Sequence, residues 1–341
     1  MVFCSHLPIR GHWYVRVCDT TAFGVSIFFC LSAYLIVTLL LMERDDTGNV
    51  RLGAFALRRI LRIWPPYFAV LFIGFFIGLV RPGAHMTGRA LLAMSILLGN
   101  YFVINHGWQA IAAITPLWSI SIEEQFYIAV PFLTRLGGRR AIIAVCSATL
   151  FVAYSILIWL GSRGLIPIWQ IWANSFVEFQ FFALGGLLAA LLYRRRLEVP
   201  VYARILLASG GLSCFYAAAV CGIHGWVAIS NRHLVVGYLL ALLGTGAVFV
   251  SILDVRVTVP RPLIYLGKIS YGLYLIHLPI IWLLFHDTRD WSHTWLFHSE
   301  SVRLLVTVIL TFVLAALSYR YFERPILRLK SRFETVKTRP A

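Results

Sequence analysis

The sequence predicts an all-α, polytopic membrane protein of about ten transmembrane helices, and three observations carry that expectation. The 341 residues are 60% hydrophobic and only 13% charged, with a mean hydropathy of +0.81; a water-soluble chain is nearer half apolar and a quarter charged. The apolar residues fall into repeated runs of roughly 17–25, the length that crosses a hydrocarbon layer of about 30 Å. The basic residues alternate between the two sets of connecting loops, with 22 of the 30 Lys and Arg on one set and eight on the other. Excess Lys and Arg mark the cytoplasmic side.

Taken in order, the predicted spans are 23–42, 65–81, 88–106, 116–134, 140–160, 169–193, 204–222, 233–253, 263–285 and 302–322. Five Arg (Arg44, Arg51, Arg58, Arg59, Arg62) fall between the first span and the second, at 43–64. Three more basic residues lie in 135–140, four in 194–204, three in 254–268 and seven in 320–341. This pattern respects every alternation, places the C-terminus and a basic tail from about 323–341 in the cytoplasm, and leaves residues 1–22 outside. The opening MVFCSHLPIRGHWYVRV lacks the charged start and apolar stretch of a secretory signal. Residues 1–6 are too few to cross a bilayer and read as the remnant of a truncated helix. No internal repeat, low-complexity segment or linker divides the chain, so 1–341 reads as one membrane domain.

Charge and cysteine usage exclude other classes. A formal net charge of +16 would suggest nucleic acid in a soluble chain, but here it is explained by loops that meet anionic lipid, and no nucleic-acid partner is expected. The six cysteines (Cys4, Cys18, Cys30, Cys146, Cys214, Cys221) have no CxxC or His/Cys spacing, so neither a metal site nor a disulfide framework is indicated. No phosphate-binding loop, dinucleotide fingerprint, HExxH or GxSxG is present.

Ionisable residues inside spans cost roughly 2.5–3.5 kcal/mol on insertion scales and are functional candidates by default. In LWSISIEEQFY (117–127), Ser119, Glu123 and Tyr127 share one helical stripe, while Glu124 points about 100° away. Glu124 and Gln125 can equally be explained as hydrogen-bonding groups for a neighbouring helix. In KISYGLYLIHLPII (268–281), Ser270, Tyr274 and His277 lie within about 60° of one another, and His277 is expected at the depth of Glu123. In FALRRILRIWPPY (55–67), Arg58 and Arg62 share a face. A short interfacial helix there could anchor lipid headgroups, or its bidentate guanidinium groups could hold a phosphorylated substrate.

Five segments, in order, resemble acyltransferase family 3, the integral-membrane acyltransferases of the O-antigen acetylase type. FGVSIFFCLSAYLI (23–36) is similar to the family's GVDxFFxLSGFLI, with Ala33 and Tyr34 in place of its Gly and Phe. FALRRILRIWPPY is similar to FxxRRxxRIxPxY, PLWSISIEEQFY to LWSLSVEEQFY, SYGLYLIH to SYxxYLxH, and FERPILRL (322–329) to the closing helix end.

The resemblance implies an enzyme of the bacterial inner membrane. It would move an acyl group, commonly acetyl, from acyl-CoA as co-substrate onto a hydroxyl of a sugar, polysaccharide or lipid-linked cell-envelope acceptor, with no bound cofactor. The family's essential His corresponds to His6, with His12 as the fallback. The first helix is cut short, and the Arg that the family carries one span earlier has no counterpart, as if the start had been assigned too far downstream. The expected catalytic group is His6 paired with Glu123, with His277 as a further member. Arg58, Arg59 and Arg62 would hold the CoA phosphates, and Ser32, Trp118, Ser119 and Tyr274 would line the donor route. The rival reading is a proton-coupled transporter in which Glu123 and His277 form a relay.

Overall fold

The computed structural model describes residues 2–6, 12–80, 86–108, 114–223, 231–285 and 299–330, and every regular element among them is helical. In chain order these are α1 (Val2–Ser5), α2 (His12–Thr21), α3 (Gly24–Thr47), α4 (Leu52–Val80), α5 (Gly88–Ser95), α6 (Gly99–His106), α7 (Leu117–Ser162), α8 (Ile168–Trp172), α9 (Ser175–Leu191), α10 (Val201–Val220), α11 (Asn231–Ile252), α12 (Arg261–Phe285) and α13 (Glu300–Ser318). A π-helical turn (Tyr319–Glu323) leads into α14 (Arg324–Lys330). Helices satisfy backbone groups internally, as hydrocarbon demands. Among the described residues, seven helices are long and apolar enough to cross a membrane, and the chain is an integral membrane protein.

One of the seven, α7, contains the two predicted spans 116–134 and 140–160. Gly138 divides it with non-helical dihedrals (φ 55°, ψ −142°), leaving two legs that are each about 30 Å long at 1.5 Å per residue. The Arg44 guanidinium lies where a side chain at Gly138 would stand, its nitrogen 1.5 Å from the position of a Cβ. The positive φ favours glycine here, whereas the Arg44 side chain, being flexible at its tip, could move aside.

The segment 88–106 is not the single helix its hydropathy predicts. It breaks into α5 and α6, eight residues each, around Leu97 at φ 61°. Thr87 caps the first piece by accepting from the Ala90 N–H at 3.2 Å. The segment 169–193 likewise starts as the short α8, and α9 begins only after Asn174, whose side chain accepts from the Phe176 N–H at 3.0 Å.

The expected loop 43–64 is helical from Leu52 onward, so Arg58, Arg59 and Arg62 sit on a 29-residue helix rather than a short interfacial one. The expected tail from 323 stays helical to Lys330; residues 331–341 lie outside the described residues.

The core runs along α3, which packs on α7, α9 and α11. Phe29 stacks on Phe182 at 4.5 Å. One turn further along, Gly185 lets α9 approach the α3 backbone, since a Cβ there would stand 2.1 Å from the Cys30 carbonyl oxygen. This seam fixes α3, and with it Ser32, against the helices that carry the polar groups.

Candidate functional site

Two buried polar networks occupy the bundle, linked through α7. The first joins α3 to α7. Ser32 donates to Glu123 Oε1 at 2.9 Å and lies 2.6 Å from the Tyr127 hydroxyl, which also donates to Glu123 Oε1. Glu123 is 2% exposed. The helical period puts Glu123 and Tyr127 on one face, and α3 supplies the third corner.

The second network joins α1, α7 and α12. Ser119, one turn from Glu123, lies 2.5 Å from the Tyr274 hydroxyl, and both hydroxyls reach the Pro116 carbonyl, at 3.1 and 3.2 Å. The Tyr274 carbonyl accepts from His277 Nδ1 at 2.6 Å. His277 Nε2 is 3.4 Å from Nδ1 of His6, the ring centroids being 5.2 Å apart, and Phe3 packs on the His277 ring at 6.0 Å. His6 Nδ1 is also 3.0 Å from the Val2 carbonyl. Pro279, two residues beyond His277 in α12, has no N–H for the Leu275 carbonyl.

The hydrogen-bond partners assign the tautomers. His277 Nδ1 faces a carbonyl and must carry the proton, so its Nε2 presents a lone pair to His6. Nδ1 of His6 faces that lone pair and the Val2 carbonyl, so it too carries its proton. Nε2 of His6 is then the unprotonated nitrogen. The arrangement can accept a proton, or an acyl group, at that atom.

Several expected site residues lie elsewhere. His6 meets His277, and Glu123 meets Ser32 and Tyr127; among the described residues no hydrogen bond joins His6 to Glu123. Among the described residues no hydrogen bond joins Glu123 to His277; Ser119, one turn from Glu123 on α7, is bonded to Tyr274 on the helix of His277. Ser270 is exposed and bonds the Gly267 carbonyl at 2.9 Å. Trp118 is 5% exposed and packs between Trp108 and Trp172, with centroids at 5.7 and 6.3 Å. The side chain of His12 lies outside the described residues.

Glu124 and Gln125 bond neighbouring helices. Glu124 accepts from Trp64 Nε1 at 3.2 Å. Gln125 donates to Asn100 Oδ1 at 3.0 Å and accepts from Ser175 at 2.6 Å.

The three arginines of α4 have distinct surroundings. Arg58 pairs with Glu43 at 3.2 Å, a carboxylate only 2% exposed that also accepts from the Arg51 N–H at 3.0 Å. Arg62, one turn on and on the same face, is exposed. Arg59 turns inward.

Sequence reasoning missed Glu43, which it placed in a loop, and Glu178. Glu178 is 0% exposed in α9 beside the equally buried Tyr238. Neither of its carboxyl oxygens has a hydrogen-bond partner among the described residues. A carboxyl inside the apolar run 169–193 was the same signal that singled out Glu123.

A bundle of membrane-length helices that brings together the buried His277, the half-buried His6 and a buried carboxyl–hydroxyl network defines an integral-membrane domain. The chain belongs to acyltransferase family 3, whose acyltransferase-domain model matches residues 1–320.

It is 27% identical over 329 residues to YrhL of Bacillus subtilis, assigned as a peptidoglycan O-acetyltransferase, covering 89% of this chain and 50% of that protein. It is also 27% identical over 335 residues to the O-acetyltransferase OatA of Staphylococcus aureus, covering 89% and 52%. The chain thus spans about half the length of the curated relatives it matches. No solved structure matches it.

Proposed function

We propose that this domain moves an acetyl group from acyl-CoA to a hydroxyl of a cell-envelope carbohydrate, within the bacterial inner membrane and with its C-terminus in the cytoplasm. The observation that carries the reading is the tautomer chain Tyr274 carbonyl–His277–His6, which leaves Nε2 of His6 as the base. The family and the names of the relatives supply the reaction class; the peptidoglycan named for YrhL supplies the class of acceptor.

In the transfer, Nε2 of His6 takes the proton of the acceptor hydroxyl as its oxygen bonds to the thioester carbonyl carbon. The carbon–sulfur bond breaks, and the proton passes to the departing thiolate. In the two-step form Nε2 bonds to the thioester carbon as the carbon–sulfur bond breaks and the thiolate leaves; the acceptor oxygen then bonds to that carbon as the carbon–nitrogen bond breaks, and its proton passes to the thiolate. His277 orients the ring and accepts the Nδ1 hydrogen bond as positive charge develops. Arg62, exposed on α4, holds the donor phosphates in bidentate fashion, and Arg58, one turn back and already paired with Glu43, adds its charge beside it.

The test is transfer of labelled acetyl from acetyl-CoA to carbohydrate in membranes that contain the chain. Acetyl-CoA-dependent labelling that His6→Ala removes supports the reading. Absence of labelling together with proton-dependent solute uptake would replace it with a transporter. Fusing a reporter active only outside the cytoplasm after Ala341 should give no signal.

A further inference from the structure

The family resemblance groups Arg59 with Arg58 and Arg62, but the structure separates them. Arg58 is paired with the buried Glu43, its side chain only 11% exposed, and Arg62 is exposed, whereas Arg59 packs on aromatic rings. Its guanidinium carbon lies 5.5 Å from the centre of the Tyr127 ring and 5.7 Å from that of Phe55. Its Nε is buried and without a hydrogen-bond partner among the described residues, and both it and the exposed Arg62 lie within Coulombic reach of Glu123. The Tyr127 hydroxyl in turn donates to Glu123.

A cation over this ring is therefore one step from a carboxylate that has two hydroxyl donors and no ion pair of its own among the described residues. An ionised carboxylate in such a place needs a counter-charge. A guanidinium packed on an aromatic face, more weakly hydrated than an ammonium, suits that role.

We propose that Arg59 is a positioning residue: stacked on Tyr127, it balances the charge of Glu123 and holds the Ser32–Glu123–Tyr127 triangle in place, and it takes no part in holding the donor. The inference rests on the acyltransfer reading for its kinetic consequence alone; the pairing itself is tested without activity.

The full chain is reconstituted in lipid nanodiscs as wild type, Arg59→Met, Glu123→Gln and the double variant, and the thermal unfolding midpoint of each is measured. Arg59→Met should lower the midpoint in the wild-type background and have less than about a third of that effect when Glu123 is already Gln, since no carboxylate then needs balancing. Equal losses in both backgrounds would overturn the pairing. Should Arg59→Met fail to fold alone, recovery of folded protein by adding Glu123→Gln supports it, and failure to recover overturns it.

With acetyl-CoA as the donor, Arg59→Met should lower kcat about tenfold or more with KM changed by less than about twofold, and Arg62→Ala should do the reverse. Arg59→Lys, which keeps the charge and loses the planar face, should recover part of kcat. A rise in KM for Arg59→Met to match Arg62→Ala would return Arg59 to the phosphate clamp. A wild-type chain with no acetyl transfer would remove the acyltransfer reading, while the thermal comparison would still decide the pairing.

Discussion

Nε2 of His277 lies 3.4 Å from Nδ1 of His6, although 271 positions separate the two residues in the chain. The contact ties the short α1 to α12 and makes one imidazole the hydrogen-bond acceptor of the other. A carboxylate in that place would hold its partner ring as a charged pair; a neutral imidazole fixes the tautomer without adding a buried charge.

Replacing each ring should therefore give a graded result. His6→Ala should abolish acetyl transfer, with a general base contributing about 10²–10⁴-fold. His277→Ala should lower transfer less, and His277→Gln less again, since an amide oxygen can still accept from Nδ1. Transfer of labelled acetyl in membranes measures all three; equal activity of His277→Ala and wild type would show that the contact is not used.

Tyr274→Phe removes the hydroxyl that lies against Ser119, but leaves Ser119 bonded to the Pro116 carbonyl. The stability cost should be about 0.5–1.5 kcal/mol, that of one hydrogen bond. The effect on transfer should exceed the effect on stability, because the backbone turn that orients His277 is held through this residue. Thermal midpoints and initial rates, measured side by side, separate the two.

Glu43→Ala leaves Arg58 without its buried partner and the Arg51 N–H without an acceptor. Removing one member of a buried pair costs up to about 3–5 kcal/mol, so this variant should be among the least stable of those named here. Glu43→Gln keeps an acceptor oxygen and should cost less. Yield of monodisperse protein and thermal midpoint distinguish them.

Gly185→Leu should push α9 from α3, because even a Cβ at this position meets the Cys30 carbonyl. Overpacking of this kind costs about 1–3 kcal/mol or more, and the displacement reaches Ser32, two positions beyond Cys30. Loss of transfer alongside lowered stability is expected; full activity would mean that the seam has room to relax.

Hydropathy made most spans legible, since a run of apolar residues must be helical in lipid whatever it packs against. It could not show the break at Leu97, because LLAMSILLGNYFVI is apolar but for Ser95 and Asn100 and the backbone turns without a proline. The stripe Ser119–Glu123–Tyr127 was readable from the helical period alone. Its partners Ser32 and Tyr274 come from helices about 90 and 155 positions away, and no local pattern encodes such pairings. The sequence put Arg58 and Arg62 on one face, and the family resemblance grouped Arg59 with them. Arg59 departs from them because its neighbours in space are Tyr127 and Phe55.

The broken pair α5 and α6 bears on how the chain is made. Helix ends in hydrocarbon leave carbonyls and N–H groups without partners, so two eight-residue pieces cannot rest in lipid on their own as a continuous span can. Beside the break, Asn100 donates to the Ala173 carbonyl and to Ser175, at 3.0 and 2.9 Å, and Gln125 donates to the Leu97 carbonyl at 3.4 Å. Those partners are synthesised later than the segment they satisfy. Residues 88–106 are therefore expected to take up the full set of these partners only once α7 and α9 are in place beside them, which makes this stretch the one whose final shape depends most on residues translated after it.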